Sequence, residues 1–153
     1  MGIWKLLLLP IAALYGLIIR IRHWMFNTNI LESVSYDIPL IGVGNLNLGG
    51  TGKTPMVEFI IRLLLKENKV AVLSRGYGRT SKGYLIADQY SDHQIIGDEP
   101  MQYHNKFRKE LKVAVCENRR LGIDNLMQDF EKLDAIVLDD SFQHRYVKPG
   151  LSI

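Results

Sequence analysis

The stretch GNLNLGGTGKTP, residues 44 to 55, decides the fold. The common phosphate-loop pattern is Gly, four residues, and then Gly-Lys-Ser/Thr. Gly52, Lys53 and Thr54 match the end of that pattern, but Asn47 stands where the first glycine belongs. The glycines between them let the backbone turn and bring its N–H groups close to phosphate oxygens. Because asparagine tolerates unusual backbone angles better than most residues, the departure leaves the phosphate-binding interpretation in place.

The sequence on either side of the loop supports this interpretation. The apolar run IPLIGVGN, 38–45, precedes the loop, and apolar residues at helical spacing follow it over 52–67. A strand, a glycine-rich loop and a helix form the context that a phosphate loop requires. In such a loop Lys53 reaches the β- and γ-phosphates, the Thr54 hydroxyl binds Mg²⁺, and the helix N-terminus adds partial positive charge. We therefore predict that the loop binds the phosphates of a nucleotide.

The rest of the chain alternates strand and helix patterns. Helices are expected to begin near residues 98 and 117, and the final KPGLSI has the pattern of a further strand. This alternation predicts an α/β fold, P-loop NTPase-like, with a mostly parallel sheet flanked by helices. A sheet that ends at KPGLSI also leads us to expect that the chain belongs to a larger protein. The remaining strands are predicted over 69–74, 111–116 and 133–140.

Composition is that of a folded protein with a mildly basic surface. The 153 residues are 47% apolar and 23% charged, which argues against disorder. A net charge of +3 suits an anionic partner but does not choose among nucleotide, nucleic acid and membrane. The single cysteine, Cys116, excludes an internal disulfide and indicates a reducing compartment. We expect it to be a small buried residue at the end of a strand.

The N-terminus carries an uncharged run, LLLLPIAALYGLII, at 6–19. Fourteen residues are fewer than the roughly 20 that span a bilayer, and Pro10 would kink a helix there. Basic residues and tryptophans flank the run, which favours a helix at the membrane interface. A buried core helix and a cleaved signal peptide are the alternatives. We therefore divide the chain into a membrane-associated helix, 1–26, and a nucleotide-binding core, 27–153.

Polar side chains follow several predicted strands, at the sheet edge where such folds bind ligands. In AIVLDD, Asp139 and Asp140 are candidate Mg²⁺ ligands, because adjacent carboxylates repel each other without a cation or donors nearby. Three other segments each have a functional and a structural interpretation. SRGYGR, with Arg75 and Arg79, is a phosphate-binding segment or a surface loop, and GDEP, with Asp98 and Glu99, supplies a catalytic acid or a helix cap. DDSFQHR, with Gln143 and His144, is an active-site turn or a polar turn.

Together, and in order, GNLNLGGTGKTP, LSRGYGR, GDEP and DDSFQHR resemble the lipid A 4'-kinase family, also called tetraacyldisaccharide 4'-kinase. The resemblance covers nearly the whole chain. It implies a kinase that uses ATP and Mg²⁺ to phosphorylate the 4'-hydroxyl of an acylated glucosamine disaccharide 1-phosphate in lipid A biosynthesis. It also implies location at the cytoplasmic face of the bacterial inner membrane. We expect no nucleic-acid partner and no obligate protein partner.

The resemblance also implies residue roles. Asp98 matches the acid that acts as general base, and Ser141 stands where the family has glycine. The family has a second, C-terminal lobe with a histidine paired to the base; its absence here leads us to expect a fragment, whose activity alone stays open. The predicted catalytic set is Asp98, Lys53 and His144; the nucleotide set is Asn47, Leu48, Gly49, Gly50, Thr51, Gly52, Lys53, Thr54 and Arg75; the metal set is Thr54, Glu99, Asp139, Asp140 and Gln143.

Three other classes of protein compete with this interpretation. A membrane-associated regulatory ATPase switch shares GGxGKT but carries a lysine before the glycines, where this chain has Leu48. A GTPase needs an Asn-Lys-x-Asp segment, and the nearest string, NKVA at 68–71, lacks the aspartate. A nucleic-acid binder would need a stronger basic bias and a stacking motif. The kinase interpretation is therefore preferred, with the switch as the alternative.

Overall fold

The structure is a computed structural model that describes residues 4–28, 30–44, 52–141 and 146–153. The chain divides into two compact units, Met1–Ser33 and Val34–Ile153. The second unit contains every described strand.

The first unit contains one long helix, α1, over Trp4–Asn27, with Pro10 inside it. Leu14, Leu17 and Ile18 are among the apolar side chains that α1 exposes to solvent. Across the described residues, no helix combines the length and the apolar character that crossing a membrane requires. The predicted helix is therefore confirmed, whereas its position at a membrane interface stays a prediction.

The second unit is built on a six-stranded sheet with the order β3-β4-β2-β5-β1-β6. All neighbouring strands are parallel except β3 and β4, which are antiparallel. The mostly parallel sheet predicted from the sequence is thus confirmed. The strands are β1 Leu40–Val43, β2 Val70–Ser74, β3 Leu85–Ile86, β4 Leu111–Val115, β5 Ala135–Asp139 and β6 Leu151–Ser152.

Helices cover both faces of the sheet. The strands β2, β4 and β5 are almost continuously apolar because both faces are buried. On one face Val70 and Val72 pack with residues of α2 and α4; on the other, Ala71 and Leu73 pack with α5. The helices of this unit are α2 Lys53–Leu64, α3 His93–Ile96, α4 Asp98–Phe107 and α5 Arg119–Asp129, and a short 3-10 helix spans Arg108–Glu110.

The register places the carboxyl ends of four strands side by side. Val43 at the end of β1 pairs with Asp139 at the end of β5. Ser74 at the end of β2 pairs with Val115 at the end of β4. Because these four strands are parallel, the segments that follow them all leave from the same edge of the sheet. This edge therefore collects the loops on which the site predictions depend.

Two short elements were not predicted. The strand β3 has two residues, too few for a recognisable alternation, and it pairs antiparallel with β4. The helix α3 has four residues, and the Asp92 side chain accepts a hydrogen bond from the Ile95 N–H at its start. Cys116 is buried directly after β4, as predicted, and KPGLSI does contain a strand.

Candidate nucleotide site at the carboxyl edge of the sheet

The helix α2 begins at the predicted phosphate loop. Gly52 is the N-cap residue and has a left-handed backbone, with φ 78° and ψ 15°. This conformation favours glycine, since a side chain there is strained. Lys53 is the first residue of α2, so its side chain lies at the positive end of the helix. The predicted cradle residues Asn47, Leu48, Gly49, Gly50 and Thr51 lie outside the described residues.

Lys53 lies opposite the two adjacent aspartates. Its Nζ is 3.8 Å from Asp139 Oδ1 and 3.5 Å from Asp140 Oδ1. The pairing of β1 with β5 accounts for this proximity, because it sets the strand that leads into the loop beside the strand that ends in the acids. Asp140 has a left-handed backbone, with φ 58°, which turns the chain away from β5. The site thus brings together one cation and two anions that the sequence separates by more than eighty residues.

The Asp139 carboxylate is entirely buried. Burial, with a contribution from the negative charge of Glu99, raises the pKa of Asp139 to about 6, although Lys53 and Arg119 act in the opposite direction. Asp139 Oδ1 has no hydrogen-bond partner within the described part of the chain. A buried carboxylate oxygen without a donor is costly, and it indicates a site made for a cation.

Two hydroxyl groups contact the other oxygen of Asp139. Ser74 Oγ and Tyr103 OH each donate to Asp139 Oδ2 at 3.4 Å. Burial raises the pKa of Tyr103, and the charges of Asp139 and Glu99 raise it further, so the phenol keeps its proton. The side chain of Thr54, the predicted Mg²⁺ ligand on α2, acts in the opposite direction on the pKa of Tyr103. Tyr103 therefore has both Thr54 and the acid at the end of β5 as polar neighbours.

The predicted metal residues suit Mg²⁺ bound together with a nucleotide. In the described ranges, no three His, Cys, Asp or Glu side chains form a group that could hold a metal ion alone. Mg²⁺ in nucleotide sites commonly uses one or two carboxylates, a hydroxyl, phosphate oxygens and water. Asp139, Asp140 and Thr54 offer such a partial set, with Asp139 Oδ1 free of hydrogen bonds among the residues that the structure describes. Glu99 is close enough for its charge to raise the pKa of Asp139.

The predicted base lies at the start of α4. Asp98 is the first residue of that helix and is exposed, and Glu99 is partly buried beside it. Gly97 precedes them with φ 94°, and a Cβ at Gly97 would come within 3.0 Å of the Tyr77 carbonyl oxygen and 3.2 Å of Gly76. The SRGYGR segment therefore packs directly against the residue that introduces Asp98.

The two arginines of SRGYGR have different surroundings. Arg75 is exposed at the carboxyl edge of the sheet, as a phosphate-binding residue requires. Only 3% of the Arg79 side chain is exposed; its Nη2 lies 2.7 Å from Glu117 Oε1 and donates to the Gly83 carbonyl at 2.7 Å. Glu117 also accepts a hydrogen bond from the Gly83 N–H at 3.0 Å. Arg79 therefore holds its own loop against Glu117, and the phosphate binding that the sequence suggested for both arginines stays a prediction.

Sequence reasoning missed Arg119, Ser74 and Tyr103. Arg119 is a buried cation whose guanidinium contacts backbone oxygens at the ends of β2 and β5. It is the first residue of α5, where a positive charge opposes the helix dipole, and this unusual position was a readable signal. The two hydroxyls gave no such signal. The structure thus brings together Lys53, Thr54, Glu99, Asp139 and Asp140, while Gln143 and His144 lie outside the described residues.

A parallel sheet, a left-handed glycine at the loop-to-helix join and a lysine facing strand-end acids define the class: a P-loop NTPase-like α/β protein. The profile of one family within this class, described as tetraacyldisaccharide-1-P 4'-kinase, matches residues 4–153. The chain therefore belongs to the tetraacyldisaccharide-1-P 4'-kinase family.

Individual relatives agree with the family match. The chain is 49% identical to a tetraacyldisaccharide 4'-kinase of Flavobacterium johnsoniae over 100% of its own length and 45% of that protein. It is 52% identical to one of Parabacteroides distasonis over 96% of its length and 40% of that protein. A crystal structure of the "apo" form of LpxK from Aquifex aeolicus in complex with ATP matches with a TM-score of 0.84 and 35% identity, over 98% of this chain and 48% of that one. The chain thus spans less than half the length of these relatives.

Proposed function

We propose that this chain is the nucleotide-binding part of a tetraacyldisaccharide 4'-kinase. The reaction transfers the γ-phosphoryl group of ATP to the 4'-hydroxyl of an acylated glucosamine disaccharide 1-phosphate, a step of lipid A biosynthesis. Family membership and the complex of the Aquifex aeolicus relative with ATP support this proposal. The observation that carries it is the position of Lys53 Nζ, 3.8 and 3.5 Å from the carboxylates of Asp139 and Asp140.

The nucleotide would be held by the phosphate loop. The backbone N–H groups of residues 47–54 cradle its phosphates, and Lys53 and Arg75 neutralise their charge. Thr54, Asp139 and Asp140, with Glu99 and Gln143, would hold Mg²⁺, which supplies charge neutralisation and orientation of the phosphate oxygens. Burial of Asp139 removes water from around it, which strengthens its interaction with any cation at the site. Catalysis of this kind depends mainly on positioning and electrostatic stabilisation.

The acceptor would be activated from the start of α4. Asp98 takes the proton of the 4'-hydroxyl, the hydroxyl oxygen forms a bond to the γ-phosphorus, and the bond to the β-phosphate oxygen breaks to release ADP. The exposure of Asp98 supports this role, because the substrate must reach it. His144 is assigned to the same catalytic group.

The acylated acceptor stays in the bilayer, so the enzyme must work at the membrane surface. We assign this contact to α1, in the proposed membrane-associated segment 1–26, with 27–153 as the kinase core. Exposed Leu14, Leu17 and Ile18 on α1 support the assignment. The site would then lie at the cytoplasmic face of the inner membrane, where ATP is present. Neither a nucleic acid nor an obligate protein partner belongs to this proposal.

The first test is binding of a fluorescent ATP analogue to the 153-residue chain. Lys53→Ala should weaken binding roughly 10- to 100-fold, the equivalent of one charge-assisted hydrogen bond. Lys66→Ala, an exposed lysine just beyond the end of α2, is the matched control and should bind normally. Equal affinities for the two variants would show that Lys53 does not contribute to nucleotide binding.

The reaction itself is tested in a chimera. This chain replaces the matching 45% of the Flavobacterium johnsoniae protein, and the product is incubated with ATP and an acylated disaccharide monophosphate. Transfer of phosphate to the 4'-position, abolished by Lys53→Ala, is the expected result. A folded chimera that binds ATP but hydrolyses it without modifying the lipid would favour the regulatory ATPase class instead.

A further inference from the structure

The strongest feature without an assigned role is the guanidinium of Arg119. This residue is buried, with 3% of its surface exposed. Its Nη1 donates to the Leu73 carbonyl at 3.1 Å, and its Nη2 donates to the carbonyl of Asp139 and, at 3.4 Å, to that of Asp140. One planar group therefore contacts the ends of two neighbouring strands and the residue that follows the second.

These contacts lie where the ladder between β2 and β5 ends. The last residue pair of the β2–β5 ladder is Leu73 with Leu138. At this end of the ladder, Arg119 joins the Leu73 carbonyl of β2 to the Asp139 carbonyl of β5. The geometry of the proposed acids thus depends on a side chain from α5 as well as on the β-ladder.

Stability alone is a poor explanation for this arrangement. Arg119 is a charged group almost completely removed from water, which is costly unless the charge is well paired. Its Nε has no hydrogen-bond partner in the described ranges, and its place at the start of α5 opposes the helix dipole. A buried cation in this setting needs a role that an apolar residue could not fill.

We propose that Arg119 is a positioning residue that fixes the backbone of Asp139 and Asp140 so that both carboxylates face Lys53. The inference rests on the proposed function, because it gives these acids their purpose. It adds a residue that acts on the proposed acids through their backbone carbonyls. Only arginine offers donors in a rigid fork wide enough to join carbonyls on two strands.

The test compares Arg119→Lys with Arg120→Lys. Both keep the charge, and Arg120 is the exposed neighbour on the same helix turn. The first readout needs no ligand: hydrogen exchange at the Ser141 N–H, which bonds to the Val43 carbonyl at 3.1 Å just beyond Asp140. Arg119→Lys should speed this exchange about tenfold or more while exchange in β4 stays unchanged, and Arg120→Lys should change neither. Unchanged exchange at Ser141 would overturn the proposal.

The second readout is binding of the fluorescent ATP analogue with Mg²⁺ and with EDTA. In Arg119→Lys, the factor by which Mg²⁺ raises the affinity should fall about tenfold. The affinity in EDTA should stay within about twofold of the parent value, because Lys53 and the loop are untouched. An equal loss in both conditions would indicate a merely structural role and overturn the proposal. A parent chain that fails to bind ATP would instead refute the proposed function, and the exchange result would still decide the role of Arg119.

Discussion

Asp139 is a buried acid whose charged form is costly in the unliganded fold but suits the proposed metal site. It ends β5, which lies between β1 and β2, and its buried carboxylate faces Lys53 and accepts two weak hydrogen bonds from hydroxyl groups. Burial holds its pKa at about 6, above the ordinary value of 3.8. The charged form is therefore less favourable in the unliganded fold than in water. A bound cation would make the charged form the favoured one, as expected of a residue that binds a metal ion.

This balance makes the stability of the unliganded chain depend on pH. Between the two pKa values the folded chain binds the proton and the unfolded chain does not, so the unfolding free energy falls as pH rises from about 4 to about 6. Asp139→Asn removes the penalty. Its gain in unfolding free energy should be about 2 kcal/mol larger at pH 7.5 than at pH 4.5.

Urea denaturation at the two pH values provides the measurement. Asp140→Asn, which removes the same charge from a partly exposed position, should show a much smaller pH dependence. A gain for Asp139→Asn that is the same at both pH values would mean that burial does not control this carboxyl group.

At the scale of elements, the segment after β2 acts as a support for the start of α4. The Arg79–Glu117 pair and the Thr80 N–H, which donates to the Gln94 carbonyl at 2.7 Å, hold this segment in place. Gly97 then passes so close to Gly76 and Tyr77 that a Cβ there would make unusually tight contacts, at 3.0 to 3.2 Å. The position of Asp98 is consequently set by a neighbouring loop as well as by its own helix.

Glycine-to-alanine substitutions can test this packing. Gly97→Ala combines an unfavourable backbone with a tight contact, and should lower the unfolding free energy by about 3 kcal/mol. Gly78→Ala has a similar positive φ, 78°, but meets no atom within 4 Å, so a loss of about 1 kcal/mol is expected from strain alone. Chemical denaturation of both variants gives the comparison. Equal losses would show that close contact at Gly97 contributes nothing.

Much of this arrangement was predictable from sequence. The buried strands were found because parallel strands covered on both faces are continuously apolar, and the loop was found because Gly52, Lys53 and Thr54 have distinct chemical roles. From these, the approach of Lys53 to Asp139 follows once the strands are parallel and adjacent. The family resemblance stated from four motifs is confirmed by the match over residues 4–153.

The remainder could not be predicted because it depends on pairing across the chain. The pairing of Arg79 with Glu117 requires two loops to meet, which no local pattern reports. Ser74 and Tyr103 become polar neighbours of Asp139 only through the order of the strands and the packing of α4. The roles of Asp98, Gln143 and His144 stay predictions.

At the scale of the molecule, the described chain has two parts with different surfaces. The second unit has an apolar core on both faces of the sheet, whereas most of the described side chains of α1 in the first unit are exposed. Leu14, Leu17, Ile18 and Ile21 recur at spacings of three and four residues, which places them on one side of the helix. An exposed apolar side of this kind suits a lipid surface.

Vesicle binding tests the assignment of α1 to the membrane. The double variant Leu17→Glu and Ile18→Glu should bind vesicles of phosphatidylethanolamine and phosphatidylglycerol about tenfold or more weakly, since it places charge in the proposed lipid contact. Ala12→Glu, on the opposite side of α1, is the matched control. Nucleotide affinity should be unchanged in both. If the double variant sediments with vesicles as well as the parent chain, α1 is not the membrane contact.

The burial of Cys116, which is 1% exposed, has a practical consequence. It is the single thiol of the chain, and its side chain is enclosed by the sheet and α5. A maleimide dye should therefore not label the folded parent protein. One new cysteine placed along α1 would become the sole labelled position, and quenchers attached at known depths in the lipid would then report how far each turn of the helix enters the bilayer.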